Sequence, residues 1–363
     1  MTWIMLLVGL VVLTAGAECL VRGASKLAAA AGVSPLVIGL TVVAYGTSAP
    51  ELAVSVKSAM LGQSDIALGN VVGSNIFNVL FILGACAMIY PLKVHAQLIR
   101  LDVPIMIGAS LVLGVMGLNG VIGRIDGAIL FASVVAYTVF VIRKSRAESK
   151  AVQAEFASEY AEKEKLSPRG IALNIVLLVA GFAMLVFGAR LFVTGAIEIA
   201  QAFGVSELVI GLTIVAAGTS LPEVATSIVA TIRGERDIAI GNVVGSNIFN
   251  ILSVLGLAGM IAPINVPSAA LAFDIPIMIA IAIACLPIFF TGSSISRWEG
   301  LLFLGYYVAY TTYLVMSSRS GAVPATFTIA MVYFALPITG VTLLVLAVWE
   351  WRKLRRAPLQ ADS

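Results

Sequence analysis

Long apolar runs separated by short polar or Gly/Pro punctuation predict helices at 3–29, 35–61, 66–90, 101–118 and 124–142. They recur at 170–200, 207–232, 238–262, 272–290 and 299–316, with an eleventh at 324–349. A helix needs about 20 residues to cross a hydrocarbon core roughly 30 Å thick, and these runs are of that order. The stretch from Arg143 to Arg169 differs in character, carrying Lys144, Arg146, Lys150, Glu155, Glu159, Glu162, Lys163, Glu164 and Lys165. It reads as a solvated linker or surface helix. The expected fold is an all-α polytopic membrane protein. Near the N-terminus, Ala15-Gly16-Ala17 has the form of a cleavage site, but the stretch has a counterpart later in the chain, so 3–29 is expected to be a spanning helix.

The second half repeats the first at an offset of 172 residues. Residues 39–83 match 211–255 at 28 of 45 positions, and GNVVGSNIFN stands intact in both copies. Gly23 aligns with Gly195, and Asp102-Val103-Pro104-Ile105-Met106 with Asp274-Ile275-Pro276-Ile277-Met278. Each unit carries five helices, and an odd number forces the second copy to enter the membrane upside down, the inverted-repeat plan of secondary transporters. The expected organisation is a first half at 1–145, a charged linker at 146–169, a second half at 170–318, and an extra helix with a basic tail at 319–363.

Composition agrees with this pattern: 60% of residues are hydrophobic, 11% are charged, and mean hydropathy is +1.05. The formal charge of +3 lies in short basic clusters between apolar segments, which speaks for membrane orientation and against a nucleic-acid surface. With the N-terminus outside, all of the 22 basic residues except Lys57, Arg124, Arg190 and Arg319 fall on the cytoplasmic side, together with the C-terminus. Cys19, Cys86 and Cys285 show no paired spacing, so neither a disulfide framework nor a zinc site is expected.

Polar residues in mid-span carry the chemistry, because each is costly in hydrocarbon unless it faces a partner or a cavity. Thr47, Glu51 and Ser55 fall at i, i+4 and i+8 on one helical face, and Thr219, Glu223 and Ser227 repeat the stripe. Asn70, Ser74 and Asn78 form another, repeated by Asn242, Ser246 and Asn250. Pro50 and Pro222 cannot donate amide hydrogen bonds, so their helices are expected to break near Gly46–Pro50 and Gly218–Pro222 and to free backbone oxygen there. Carboxylate, hydroxyl, amide and carbonyl oxygens suit hard cations such as sodium and calcium; the single His95 lies in a loop. Two carboxylates would neutralise one calcium ion or leave a small positive excess with three sodium ions.

GTSAPE with GNVVGSNIFN, and GTSLPE with the second GNVVGSNIFN, resemble the two alpha-repeats of the sodium/calcium exchangers of the cation/calcium antiporter superfamily, nearest its compact prokaryotic members. The resemblance implies alternating access in which the first and sixth helices slide against the rest. It implies coordination of transported sodium and calcium by Thr47, Ser48, Glu51, Ser74 and Asn78, and by Thr219, Ser220, Glu223, Ser246 and Asn250. The carbonyls of Ala44 and Ala216 match positions that also bind sodium. Three sodium ions per calcium would make exchange electrogenic. No cofactor is implied; the partners are membrane lipid and inorganic cations, in a bacterial or archaeal inner membrane. Some relatives, including potassium-dependent ones, have aspartate where this chain has Asn250, so potassium co-transport gains no support. The eleventh helix is a second departure from the compact plan.

Other readings weigh against particular residues. A proton/calcium exchanger would use Glu51 and Glu223 as proton carriers, and a passive cation channel would need no counter-ion. An intramembrane hydrolase lacks a helix-borne histidine, and no zinc or paired-aspartate motif is present. Ser55, Ser227, Asn70 and Asn242 could equally join helices through hydrogen bonds, and Asn75 and Asn247, off the stripes, are expected to be structural. The GNVVG glycines are expected to permit close helix approach, since no strand precedes them and no lysine follows as a nucleotide loop requires. Asp65, Asp237, Asp102 and Asp274 are expected to cap their helices, and Lys57 to snorkel to the interface.

Overall fold

Helices account for nearly all of the computed structural model, which describes residues 2–147, 167–203, 216–320 and 324–356. In chain order they are α1 (Thr2–Ala31), a broken span α2a (Pro35–Thr47) and α2b (Ala49–Met60), α3 (Ser64–Ile89), α4 (Leu98–Gly117) and α5 (Arg124–Ser145). The second half contains α6 (Pro168–Ala202), α7a (Ala216–Gly218), α7b (Leu221–Ile232), α8 (Arg236–Ile261), α9 (Ala270–Ser293) and α10 (Arg297–Ser317), followed by α11 (Ala325–Arg352). Most of the linker and residues 204–215, which include the first part of the seventh expected span, lie outside the described residues.

Local chemistry sets the ends of several helices. Ser34 accepts from the Val37 amide ahead of Pro35, and Ser167 accepts from the Gly170 amide ahead of Pro168; a hydroxyl cap followed by proline suits the first turn, where amides lack helical partners. Asp102 and Asp274 do not cap. Pro104 and Pro276 cannot donate four residues back, but the chain widens into a π turn, Leu98–Asp102 and Ala270–Asp274, and carries the helix through. The aspartates therefore sit inside their helices, bonded to Tyr137 (3.1 Å) and Tyr310 (2.9 Å) of the following helix. Asp65 and Asp237 likewise do not stand at the cap position, which Gln63 and Glu235 occupy; they lie in the first turns of α3 and α8, where a negative charge complements the helix dipole.

Glycine decides one interface. The Cβ that would be added to Gly9, Gly16, Gly181 or Gly188 falls 2.5–2.9 Å from backbone or Cβ atoms of the opposing helix, so α1 and α6 lie in direct backbone contact along their length. The GNVVG glycines of α8 do the same: a Cβ added to Gly241 would fall 2.7 Å from the Leu36 carbonyl oxygen, and one added to Gly245 2.6 Å from that of Leu40. The matching partners of Gly69 and Gly73 would fall at 208 and 212, outside the described residues.

Contacts between the halves are reciprocal. Four two-residue strands, β1 (Leu92–Lys93), β2 (Val121–Ile122), β3 (Ile264–Asn265) and β4 (Ser294–Ile295), pair β1 with β4 and β2 with β3, both antiparallel. Each half thus offers its loop after the third helix to the other half's loop before the fifth. The eleventh helix stands apart. Tyr306 Oη lies 3.0 Å from the Ala335 carbonyl and 2.6 Å from Thr339 Oγ1, while large side chains such as Tyr333, 70% accessible, face outward.

Candidate functional site

The second and seventh spans break at the same place. Ser48 (φ −79°, ψ 6°) and Ser220 (φ −88°, ψ 8°) leave helical geometry just before the prolines, and α2a and α2b meet at 45°. The break turns the hydroxyl of each serine toward the acid of the other half. Ser48 Oγ donates to Glu223 Oε1 at 3.2 Å, and Ser220 Oγ donates to Glu51 Oε1 at 2.8 Å with Ser74 Oγ 3.1 Å away. Both glutamates are fully buried, at 0% accessibility, and the two carboxyl groups are near enough to interact through space.

The threonines cross over in the same way. Thr47 Oγ1 lies 3.0 Å from Asn242 Oδ1 and 3.3 Å from the Ala44 carbonyl, which also accepts the Ser48 amide; Thr219 Oγ1 donates to Asn70 Oδ1 at 3.2 Å. Asn70 in turn donates to Ser55 Oγ (2.9 Å) and the Glu51 carbonyl (3.1 Å), and Asn242 to Ser227 Oγ (3.0 Å) and the Glu223 carbonyl (3.5 Å). These four residues brace α2b against α3 and α7b against α8, with their polar groups spent on one another. Ala216 opens α7a; its side-chain environment lies outside the described residues.

What is left over is oxygen. Among the described residues, Glu51 Oε2, Glu223 Oε2, Asn78 Oδ1, Asn250 Oδ1 and Ser246 Oγ are buried and reached by no hydrogen-bond partner. The hydroxyls of Ser25, Thr226 and Ser253 share that condition. Buried acceptors normally find donors, and leaving one without a partner costs about 1–3 kcal/mol, so orphaned oxygens contributed by both halves are groups of the kind that a hard cation can satisfy. Asn78 and Asn250 each begin a π turn, Asn78–Leu83 and Asn250–Leu255, a distortion often found at functional positions. No group of three or more His, Cys, Asp or Glu side chains suited to a metal occurs among the described residues.

The sequence profile of the sodium/calcium exchanger proteins matches residues 1–143 and 173–316, the ten repeat-derived helices with the linker left out. The chain belongs to the sodium/calcium exchanger family. Sodium/calcium exchanger MaX1 of Methanosarcina acetivorans is 36% identical over 86% of this chain and 98% of its own length. Inner membrane protein YrbG of Escherichia coli K12 is 39% identical over 77% of this chain and 86% of its own. The solved sodium-calcium exchanger NCX_Mj, soaked with 10 mM Na+ and no Ca2+, superposes with a TM-score of 0.75 at 31% identity, covering 86% of this chain and 98% of that one. This family member is therefore a multi-pass cation/calcium antiporter and not an enzyme. The exchanger profile ends before α11.

Sequence reasoning set Asn75 and Asn247 aside as structural, but they contact the candidate ligands Asn78 and Asn250 directly, at 3.1 Å in each case. Their recurrence in both copies of GNVVGSNIFN was the available signal.

Proposed function

We propose that this exchanger couples sodium entry to calcium movement by alternating access, with one oxygen cage shared by both ions. The cage would consist of Glu51, Glu223, Asn78, Asn250 and Ser246, with Thr47, Ser48, Ser74, Thr219, Ser220 and the carbonyls of Ala44 and Ala216 completing it as hydration shells are shed. The carrying observation is the set of buried, donor-free oxygens drawn from both halves. Two carboxylates balance one calcium ion, or tolerate three sodium ions with one excess charge, so the same cage accepts either load.

The proposed topology is two inverted five-helix repeats, 1–145 and 170–318, with the linker 146–169 and the C-terminus cytoplasmic. The strand pairing supports it. With an odd number of spans per repeat, the loop after α3 and the loop between α9 and α10 share one side, and these loops form β1–β4; the loops joined in β2–β3 share the other side.

Reconstituted vesicles test the coupling. Sodium-loaded vesicles should take up calcium when diluted into sodium-free medium, and a proton gradient without sodium should drive none. Uptake driven by protons alone would instead assign a proton/calcium exchanger, and flux with no counter-ion a channel.

A further inference from the structure

We propose that Asn75 and Asn247 are positioning residues that fix which end of the Asn250 and Asn78 amides faces the transported cation, an inference that rests on the cage proposed above. An asparagine amide presents either an oxygen, which attracts a cation, or an NH2, which repels it, and the two differ by a half-turn about one bond. During each transport cycle the cage must also bind a new ion after releasing the last, so a cation cannot be the only thing holding the oxygens inward.

Two hydrogen-bond relays supply the constraint, each anchored on a group that cannot turn. Asn247 Nδ2 lies 3.4 Å from the Asn75 backbone carbonyl and 3.6 Å from Met106 Sδ. Both are acceptors only, so Asn247 must point its NH2 at them. Its Oδ1 then faces the other way and accepts from Asn78 Nδ2 at 3.1 Å. That leaves Asn78 Oδ1 buried with no donor, the oxygen the proposed cage would use. The second relay repeats the logic: Asn75 Nδ2 meets the Asn247 carbonyl (3.2 Å) and Met278 Sδ (3.6 Å), Asn75 Oδ1 accepts from Asn250 Nδ2 (3.1 Å), and Asn250 Oδ1 is left over.

Flipping any one amide would set donor against donor or acceptor against acceptor at the next link. All four asparagines are almost wholly buried, at 3% accessibility or less, so water does not relieve such a mismatch. Each cage amide is thereby oriented by an asparagine of the opposite half, which is itself oriented by the first half's backbone or its counterpart. The inward-facing oxygens exist only while the two repeats are docked.

Calcium-dependent exchange in vesicles tests this. Asn75→Leu or Asn247→Leu removes the acceptor that holds its partner amide, and half-saturating calcium should rise about tenfold, the lower end of losses for residues that orient metal ligands. Turnover at saturating calcium should change less. In an Asn250→Asp background both ends of side chain 250 are oxygens, orientation no longer matters, and Asn75→Leu should then cost no calcium affinity. An equal loss in both backgrounds, as a packing role would give, or no loss in the native background, overturns the proposal. Asn78→Ala and Asn250→Ala separate it from the cage itself: if they leave calcium affinity intact, the cage assignment fails; if they impair it while the leucine variants do not, only the positioning role fails. Should the leucine variants not fold, a calcium-loaded crystal structure of the native chain decides. Oδ1 of Asn78 and Asn250 should face the ion, with each Nδ2 on its relay partner, and any other arrangement of those Nδ2 atoms overturns the proposal.

Discussion

Glu51 and Glu223 carry the only full negative charges in the candidate cage, and each already spends one carboxyl oxygen on a serine of the opposite half. Glu51→Gln or Glu223→Gln keeps size and one acceptor but removes a charge from a site that must stabilise a desolvated cation. Either substitution should abolish sodium-dependent calcium uptake. The ion-free protein should unfold at the same temperature or higher, because two like charges buried together repel and one is now gone. Normal transport by either variant would remove the carboxylates from the site. The sequence made these residues legible for a physical reason: a buried acid in hydrocarbon is costly, and one that recurs at the repeat offset with hydroxyls on the same face is hard to explain as filler. Asn75 and Asn247 were not legible as positioning residues. Their partners are a backbone carbonyl and a methionine sulfur from the other half, and neither leaves a mark on helical spacing.

At the scale of elements, helix existence was written in hydropathy, whereas helix beginnings were not. Asp102 two residues before Pro104 has the form of a cap, yet the helix starts at Leu98, because a π turn absorbs the missing amide hydrogen bond and frees Asp102 to meet Tyr137. The α1–α6 seam was half visible: Gly23 and Gly195 aligned, but only the fold shows Gly9 and Gly16 pressed on the backbone around Gly188 and Gly181. At Gly16 a Cβ would lie 2.8 Å from Met184 Cβ and 2.9 Å from the Leu185 amide nitrogen, so a branched side chain must drive the helices apart. Gly16→Val should therefore destabilise the protein by about 1–3 kcal/mol, the usual cost of overpacking. Thermal unfolding in detergent measures this directly. Gly305→Val, on α10 where nothing lies within 4 Å, is the matched control and should leave unfolding unchanged.

For the molecule as a whole, the reciprocal contacts have an electrical consequence. Four polar links at the centre form mirrored pairs, Ser48 with Glu223 and Ser220 with Glu51, Thr47 with Asn242 and Thr219 with Asn70, whereas the Ser220–Ser74 link has no counterpart at Ser246, whose hydroxyl is unpartnered. Under the proposed alternating access, a cage with matching carboxylates and amides from each half offers nearly the same ligands whichever face it opens to, so gradients and membrane potential would set net flow. An ion pair away from the centre is asymmetric as well. Glu18 on α1 holds Arg233 at the end of α7b, at 2.7 Å, whereas the matching positions 190 and 61 are arginine and leucine, so only one side of the bundle carries this ion pair. Such a partly exposed pair is worth at most about 1 kcal/mol, too little to rectify transport. The charge carried per cycle matters more. If three sodium ions return for each calcium, one net positive charge crosses the membrane, worth about 2.3 kcal/mol per 100 mV and hence close to a fiftyfold change in the equilibrium calcium ratio. Vesicles clamped with potassium and valinomycin should take up calcium against sodium efflux faster when the interior is positive, because the excess sodium charge then leaves downhill. Uptake that ignores the clamp would mean two sodium ions per calcium, leaving the two-carboxylate cage neutral under both loads.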